Sequence, residues 1–275
     1  MAVRSLRILV DNTAADARLR FEHGWSVWID AGGDGAFLWD TGQTGLVVDN
    51  AAILGIAPAT ARAVALSHGH YDHSGGLAAL VAAGYAGPVY GHPGVWQQRY
   101  SRRDATTYRS AGMDDGQLPH GLPGFAPTRD SRRLAPGITF VTDIPRLPGN
   151  FTATANLFRD TAGHTPDLVP DDAFLVIDAP DGPLLLLGCC HAGLANTLDA
   201  ACRRCGLSRI RTVVGGLHLA GAPESALKQS VDALAGCGVT RLYPGHCTGQ
   251  AGIASLQVHF PGTVTPTGAG MEIIF

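Results

Sequence analysis

Residues 67–76 read Ser-His-Gly-His-Tyr-Asp-His-Ser-Gly-Gly, and no other stretch restricts the fold so strongly. The segment follows an apolar run at 63–66 and precedes a helical pattern at 76–83, so it is expected at a strand-to-helix turn. His68 and His70 are two residues apart, which in extended chain sends both rings to one side. Asp72 and His73 fall where the chain turns into the helix. Four donors thus point into one small volume. Imidazole nitrogen and carboxylate oxygen form the ligand set of zinc, iron or manganese.

The order of elements around this turn sets the architecture. Apolar runs at 6–10, 25–29 and 36–39 each end at Asp, Asn or Gly, as meander strands do. A helix at 46–54, the strand at 63–66, the helix at 76–83 and a strand near Val89 and Tyr90 follow. The second half repeats the theme. Strands are expected at 138–141, 173–177, 184–187, 212–214 and 241–243, with helices from Leu194 and at 223–235. Runs of strands with helices segregated after them, twice over, predict an α/β chain with two sheets face to face and helices outside. The 275 residues are 45% apolar and 16% charged, ample for a core, and no linker divides them. One domain over 1–275 is expected.

Composition excludes several classes. A net charge of −3 does not suit the electrostatic grip of a nucleic acid. No stretch approaches the ~20 apolar residues that span a bilayer. The first apolar run is too short for a signal peptide, and six cysteines are too sparse for a disulfide scaffold. A cytoplasmic protein binding neither nucleic acid nor membrane is expected. Cys202 and Cys205 have zinc-ribbon spacing without a second pair, and read as half-buried helix residues.

Residues 94–135 differ from the rest. Seven arginines (99, 102, 103, 109, 129, 132 and 133) face four aspartates (104, 114, 115 and 130), with aromatic, Gly and Pro residues interleaved. A loop-rich insertion of this length reads as a lid or substrate loop, or as a solvated excursion. Arg99, Arg102 and Arg103 offer guanidinium forks to an anionic substrate, and His92 is placed at the pocket mouth. His23, His120 and His259 read as ordinary.

The His-x-His-x-Asp-His turn, together with Asp40-Thr41-Gly42, resembles the metallo-β-lactamase fold, an αββα sandwich of two mixed sheets with a metal site at one edge. Within it the chain is most similar to a branch named for a dihydropterin-(ribofuranosyl)aminobenzene-phosphate synthase. Gly188-Cys189-Cys190-His191-Ala192-Gly193, Gly215-Gly216-Leu217-His218-Leu219 and Pro244-Gly245-His246-Cys247-Thr248-Gly249 carry that likeness. The resemblance implies one position held by His68, His70 and a further histidine, and a second by Asp72, His73 and His246. Two assignments of the further histidine stand. Either His164 of Gly163-His164-Thr165-Pro166 ligates, with Cys189 in place of the fold's bridging Asp, or His191 ligates and His164 lines the pocket. The branch favours His191.

One or two zinc ions are expected, with iron or manganese fitting the same donors. Such a centre makes water nucleophilic near neutral pH. The chain is accordingly expected to be a metal-dependent hydrolase of a small anionic ester, phosphodiester or related substrate. Asp72 is expected to orient the water. His218 is expected either to act as general acid or simply to bond a neighbouring loop. An iron-dependent redox enzyme and a metal or ligand sensor are the alternatives, and a homodimer is left open.

Overall fold

The computed structural model describes residues 3–113 and 124–275. Asp114, Asp115 and His120 of the sequence reading lie outside them. Strands β1 (Ser5–Val10), β2 (Ser26–Asp30) and β3 (Ala36–Trp39) form an antiparallel meander. Helix α1 (Leu46–Ile53) crosses over, and β4 (Ala63–Ala65) joins β3 in parallel. After α2 (Tyr71–Ser74) and α3 (Leu77–Ala82), β5 (Val89–Gly91) joins β4 in parallel. β6 (Tyr100–Arg102) and β7 (Tyr108–Ser110) leave this sheet, and β8 (Phe125–Pro127) returns to its edge.

The second half starts with β9 (Ser131–Ala135), β10 (Ile138–Val141), β11 (Leu157–Phe158), β12 (Phe174–Ala179) and β13 (Gly182–Leu187). Then α4 (Leu194–Cys205), β14 (Thr212–Gly216), α5 (Glu224–Gly236), β15 (Arg241–Gly245), α6 (Gly249–His259) and β16 (Thr263–Val264) alternate. β17 (Glu272–Ile274) crosses back to pair with β1. The first sheet runs β17-β1-β2-β3-β4-β5-β8 and the second β16-β15-β14-β13-β12-β10-β9; β11-β6-β7 form a small third.

Side-chain alternation builds the layers. On β3, Phe37 and Trp39 face the second sheet while Leu38 faces α1 and α3. On β13, Leu184 and Leu186 face the first sheet while Leu185 and Leu187 pack under α4, α5 and α6. Leu46 and Val47 of α1 and Leu77 and Leu80 of α3 cover the first sheet; Leu198 of α4, Leu234 of α5 and Leu256 of α6 cover the second. This is an αββα sandwich.

Residues 94–135, read from sequence as a loop-rich insertion, contribute β6 and β7 to the small third sheet and the edge strands β8 and β9 to the first and second. Their strands are three to five residues long with exposed faces, so apolar alternation is nearly absent from them.

Candidate metal centre

β1, β3, β4 and β5 share one direction in the first sheet, and β13, β14 and β15 share one in the second. Their carboxyl ends meet at one edge of the sandwich. Open α/β sheets bind ligands outside such strand ends. Asp11 follows β1, Asp40 follows β3, His68 to His73 follow β4, and Cys189 and His191 follow β13. His218 follows β14 and His246 follows β15.

Among the described residues three donor groups form there, and two of them contain histidines of residues 67–76. His68, His70 and His191 make one, and Asp72, His73, Cys189 and His246 the other; within each, the donor atoms lie within 4.8 Å of one another. All seven side chains are buried. His68 Nε2 lies 2.9 Å from His70 Nδ1, and His73 Nε2 lies 3.1 Å from His246 Nε2. Nitrogens this close need a proton or a cation between their lone pairs. Among the described residues, His70 Nε2 and His191 Nε2 are buried without a hydrogen-bond partner. Lone pairs facing each other and orphaned nitrogens are what a metal site presents, so the residues fit the ion expected from the sequence.

The remaining ring nitrogens are tied down. His73 Nδ1 is 2.7 Å from Asp40 Oδ2, His246 Nδ1 is 2.9 Å from Asn12 Oδ1, and His191 Nδ1 is 2.6 Å from the Ala153 carbonyl. His68 Nδ1 is 2.9 Å from Ser67 Oγ, which itself donates to Asp40 Oδ2 at 2.7 Å. Such bonds fix ring orientation and tautomer, leaving Nε2 of each ring aimed at the centre. The loops are fixed as well. Asp171 Oδ2 accepts the Gly69 N–H at 2.8 Å, and Asp172 Oδ2 accepts the Ala192 N–H at 2.7 Å. Gly69 is obligatory, since a Cβ there would meet the Val95 carbonyl oxygen at 1.9 Å.

Electrostatics sort the donors. Burial holds His68 and His191 well below the ordinary imidazole range, and neighbouring rings push the same way. His70 falls to about 3, through burial first and the Arg99 guanidinium second. Neutral imidazoles are the form that ligates. At His73 burial opposes protonation, but the Asp40 and Asp72 carboxylates outweigh it and lift the ring to about 9. Burial likewise opposes ionisation of Asp72. His73, His23 and His246 overcome it and hold the carboxyl well below its usual range.

Other expected residues sit elsewhere. His164 is exposed on a turn whose backbone N–H groups bond Asp160, away from both groups. His191, not His164, is therefore the histidine that the structure brings to His68 and His70. Arg99 does not reach a substrate: it is buried, with Nη2 2.5 Å from Asp171 Oδ1 and Nη1 3.6 Å from Asp167 Oδ2. His92 is not at the pocket mouth either, because Asp143 and the Gly94 N–H bind its two ring nitrogens. His218 lines the cavity with its ring 4.5 Å from that of His191, and its buried Nδ1 has no partner among the described residues.

The donors open onto a cavity of about 400 Å³, lined also by Arg102, Arg103 and Arg109. Arg109 lies over the Tyr71 ring at 4.6 Å and Arg102 over Phe158 at 5.3 Å. His23 was missed from sequence. It lines the same cavity, half exposed, with Nε2 3.1 Å from Asp72 Oδ2 and its ring stacked on His246 at 5.0 Å. Asp11 and Asn12 were missed too; Asp11 Oδ1 accepts the His246 N–H at 2.9 Å. Their only sequence signal was a place just after an apolar strand.

Fold and donor set define a metallo-β-lactamase-type protein, and the chain belongs to the metallo-beta-lactamase superfamily, whose model matches residues 19–246. It is similar to the 7,8-dihydropterin-6-methyl-4-(beta-D-ribofuranosyl)-aminobenzene-5'-phosphate synthase of Methanocaldococcus jannaschii. The two are 27% identical over 241 residues, which cover 83% of this chain and 81% of that protein. The solved structure of Tm1679, described as a metal-dependent hydrolase of the beta-lactamase superfamily, matches with a TM-score of 0.83. It is 27% identical, with 99% of each chain covered. YhfI from Bacillus subtilis shares the fold at a TM-score of 0.58 and 14% identity, with 99% of each chain covered.

Proposed function

We propose that this chain is a metal-dependent hydrolase of a small anionic ester, phosphodiester or related substrate. One observation carries the reading: two groups of oriented, buried donors border a cavity that three arginines also line. His68, His70 and His191 would hold one cation, and Asp72, His73 and His246 a second with Cys189. When bound, a divalent cation such as zinc supplies Lewis acidity, making water acidic near pH 7 and stabilising charge that develops on a substrate oxygen.

The chain's own residues do the rest. Arg102, Arg103 and Arg109 bind the substrate's negative charge, and the aromatic rings beneath two of them restrict their swing. Asp72 stays ionised and orients the attacking water. His23, solvent-exposed yet bonded to Asp72, returns a proton to the leaving group. The name of the Methanocaldococcus jannaschii synthase includes a 5'-phosphate. A phosphate-bearing substrate suits three guanidinium forks and is the first to try.

The test is elemental analysis of purified protein followed by a panel of phosphodiesters, lactones and thioesters. Bound metal and chelator-sensitive hydrolysis of at least one substrate class are expected. A metal-loaded protein that cleaves none of them would overturn the reading, as would an oxygen-responsive visible iron band without hydrolysis.

A further inference from the structure

We propose that Cys189, His218 and Cys247 form a third, thiolate-rich metal position beside the two histidine groups, suited to a soft divalent cation such as zinc. The inference rests on the metal-binding reading of those groups. The two sulfurs and one ring nitrogen of His218 lie within 4.8 Å of one another, as compact a set as the other two. Neither thiol is in a disulfide, and all three residues line the cavity.

The backbone is shaped to admit them. A Cβ on Gly216, at the end of β14, would sit 2.6 Å from Cys247 Sγ and 2.6 Å from the Gly188 carbonyl oxygen. Glycine there leaves the sulfur its space. His218 has φ 48°, a left-handed conformation rare outside glycine and characteristic of functional positions. Among the described residues its buried Nδ1 has no partner, while the Cys247 thiol donates to the Cys189 carbonyl at 3.5 Å. A buried ring nitrogen left without a partner beside two thiols calls for an explanation, and a shared cation supplies one.

Two thiolates and an imidazole favour zinc over magnesium or manganese, and three protein donors leave one position of a tetrahedral site open. Cys189 belongs both to this set and to that of Asp72, His73 and His246. A thiolate has lone pairs for two cations, so Cys189 bridges them. That gives a reason for cysteine where the wider fold places a bridging Asp. His218 is then a ligand, neither the general acid nor the loop-bonded histidine that the sequence left open.

The experiment loads metal-free, reduced protein with zinc, removes excess and counts zinc per chain. Three zinc ions are expected for the wild type, and one fewer for Cys247→Ser and for His218→Ala. Anaerobic cobalt(II) titration supplies a spectroscopic readout: the near-ultraviolet thiolate-to-cobalt band weakens in Cys247→Ser and is lost when Cys189→Ser is added. A wild-type count of two, whether or not the variants fold, overturns the third position and leaves the hydrolase reading intact. Variants that match the wild type in zinc and band do the same. A wild type that binds no zinc, cobalt, manganese or iron overturns both.

Discussion

At the scale of single residues, the centre is organised by what each imidazole does with the nitrogen that faces away from it. Asp40 is the busiest such partner, binding the Ser67 N–H, the Ser67 hydroxyl and His73 Nδ1. Asp40→Asn is expected to weaken zinc binding by about 10–100-fold while leaving the fold intact, measured by calorimetric titration. An unchanged affinity would show that His73 needs no such anchor. The choice between candidate third ligands is testable in the same way: His191→Ala should lower metal content more than His164→Ala. His73 adds a pH dependence. Its folded value of about 9 lies above the ordinary 6.5, so the metal-free protein gains stability below 6.5 and loses it as pH rises through 9. On the proposed reading a cation taken up at pH 7 displaces that proton, and calorimetry of zinc titrations in buffers of different ionisation enthalpy should detect its release. The His-x-His-x-Asp-His turn was legible because four donors in six residues have no bland explanation. His23 was not, since a lone histidine carries no pattern and its neighbours come from residues 72 and 246.

At the scale of elements, two consecutive carboxylates before β12 brace two different ligand loops. Asp171 holds the loop with His68 and His70, and Asp172 holds the loop with His191. Asp171 also neutralises the buried Arg99. Asp171→Ala leaves that guanidinium with the Gly94 carbonyl and the longer contact to Asp167 but no close carboxylate, and about 3–5 kcal/mol of stability should be lost in urea unfolding. Asp172 behaves oppositely. Burial, opposed by the Ala192 N–H, raises it from 3.8 to about 7. The unfolded chain ionises first, so stability is greatest below 3.8 and falls as pH rises through 7. Asp172→Asn keeps an acceptor for Ala192 and removes the ionisation, so its stability relative to wild type should improve between pH 5 and pH 8. A constant difference would contradict the burial argument. The paired core strands were readable from short apolar runs bounded by turn residues, whereas β6 to β9 were not. Their partners include β5, β10 and β11 in separate sheets, and strands this short and polar at sheet edges show no period. Arg99 was misread for the same reason: its charge is legible, but its burial depends on Asp167 and Asp171, some seventy residues away.

At the scale of the molecule, the centre joins the two sheets. His68, His70, Asp72 and His73 belong to the first, while Cys189, His191, His218, His246 and Cys247 belong to the second. Each donor group draws on both sheets or their loops, except that Cys189, His218 and Cys247 all come from the second. Without a cation, five imidazoles, two of them with orphaned nitrogens, stand buried against one another at that seam. A ligand that binds only the folded chain stabilises it by RT ln(1 + [L]/Kd), about 4 kcal/mol at a thousandfold excess over Kd. Chelation should therefore lower the melting temperature, and zinc should restore it in a concentration-dependent way. Because an ion held by these donors would tie loops from both sheets, amide exchange on chelation should rise at residues 67–73 and 188–193 together, while the strands beneath stay protected. Exchange confined to one sheet, or a melting temperature indifferent to chelator and zinc, would mean that the sandwich closes on its apolar interior alone.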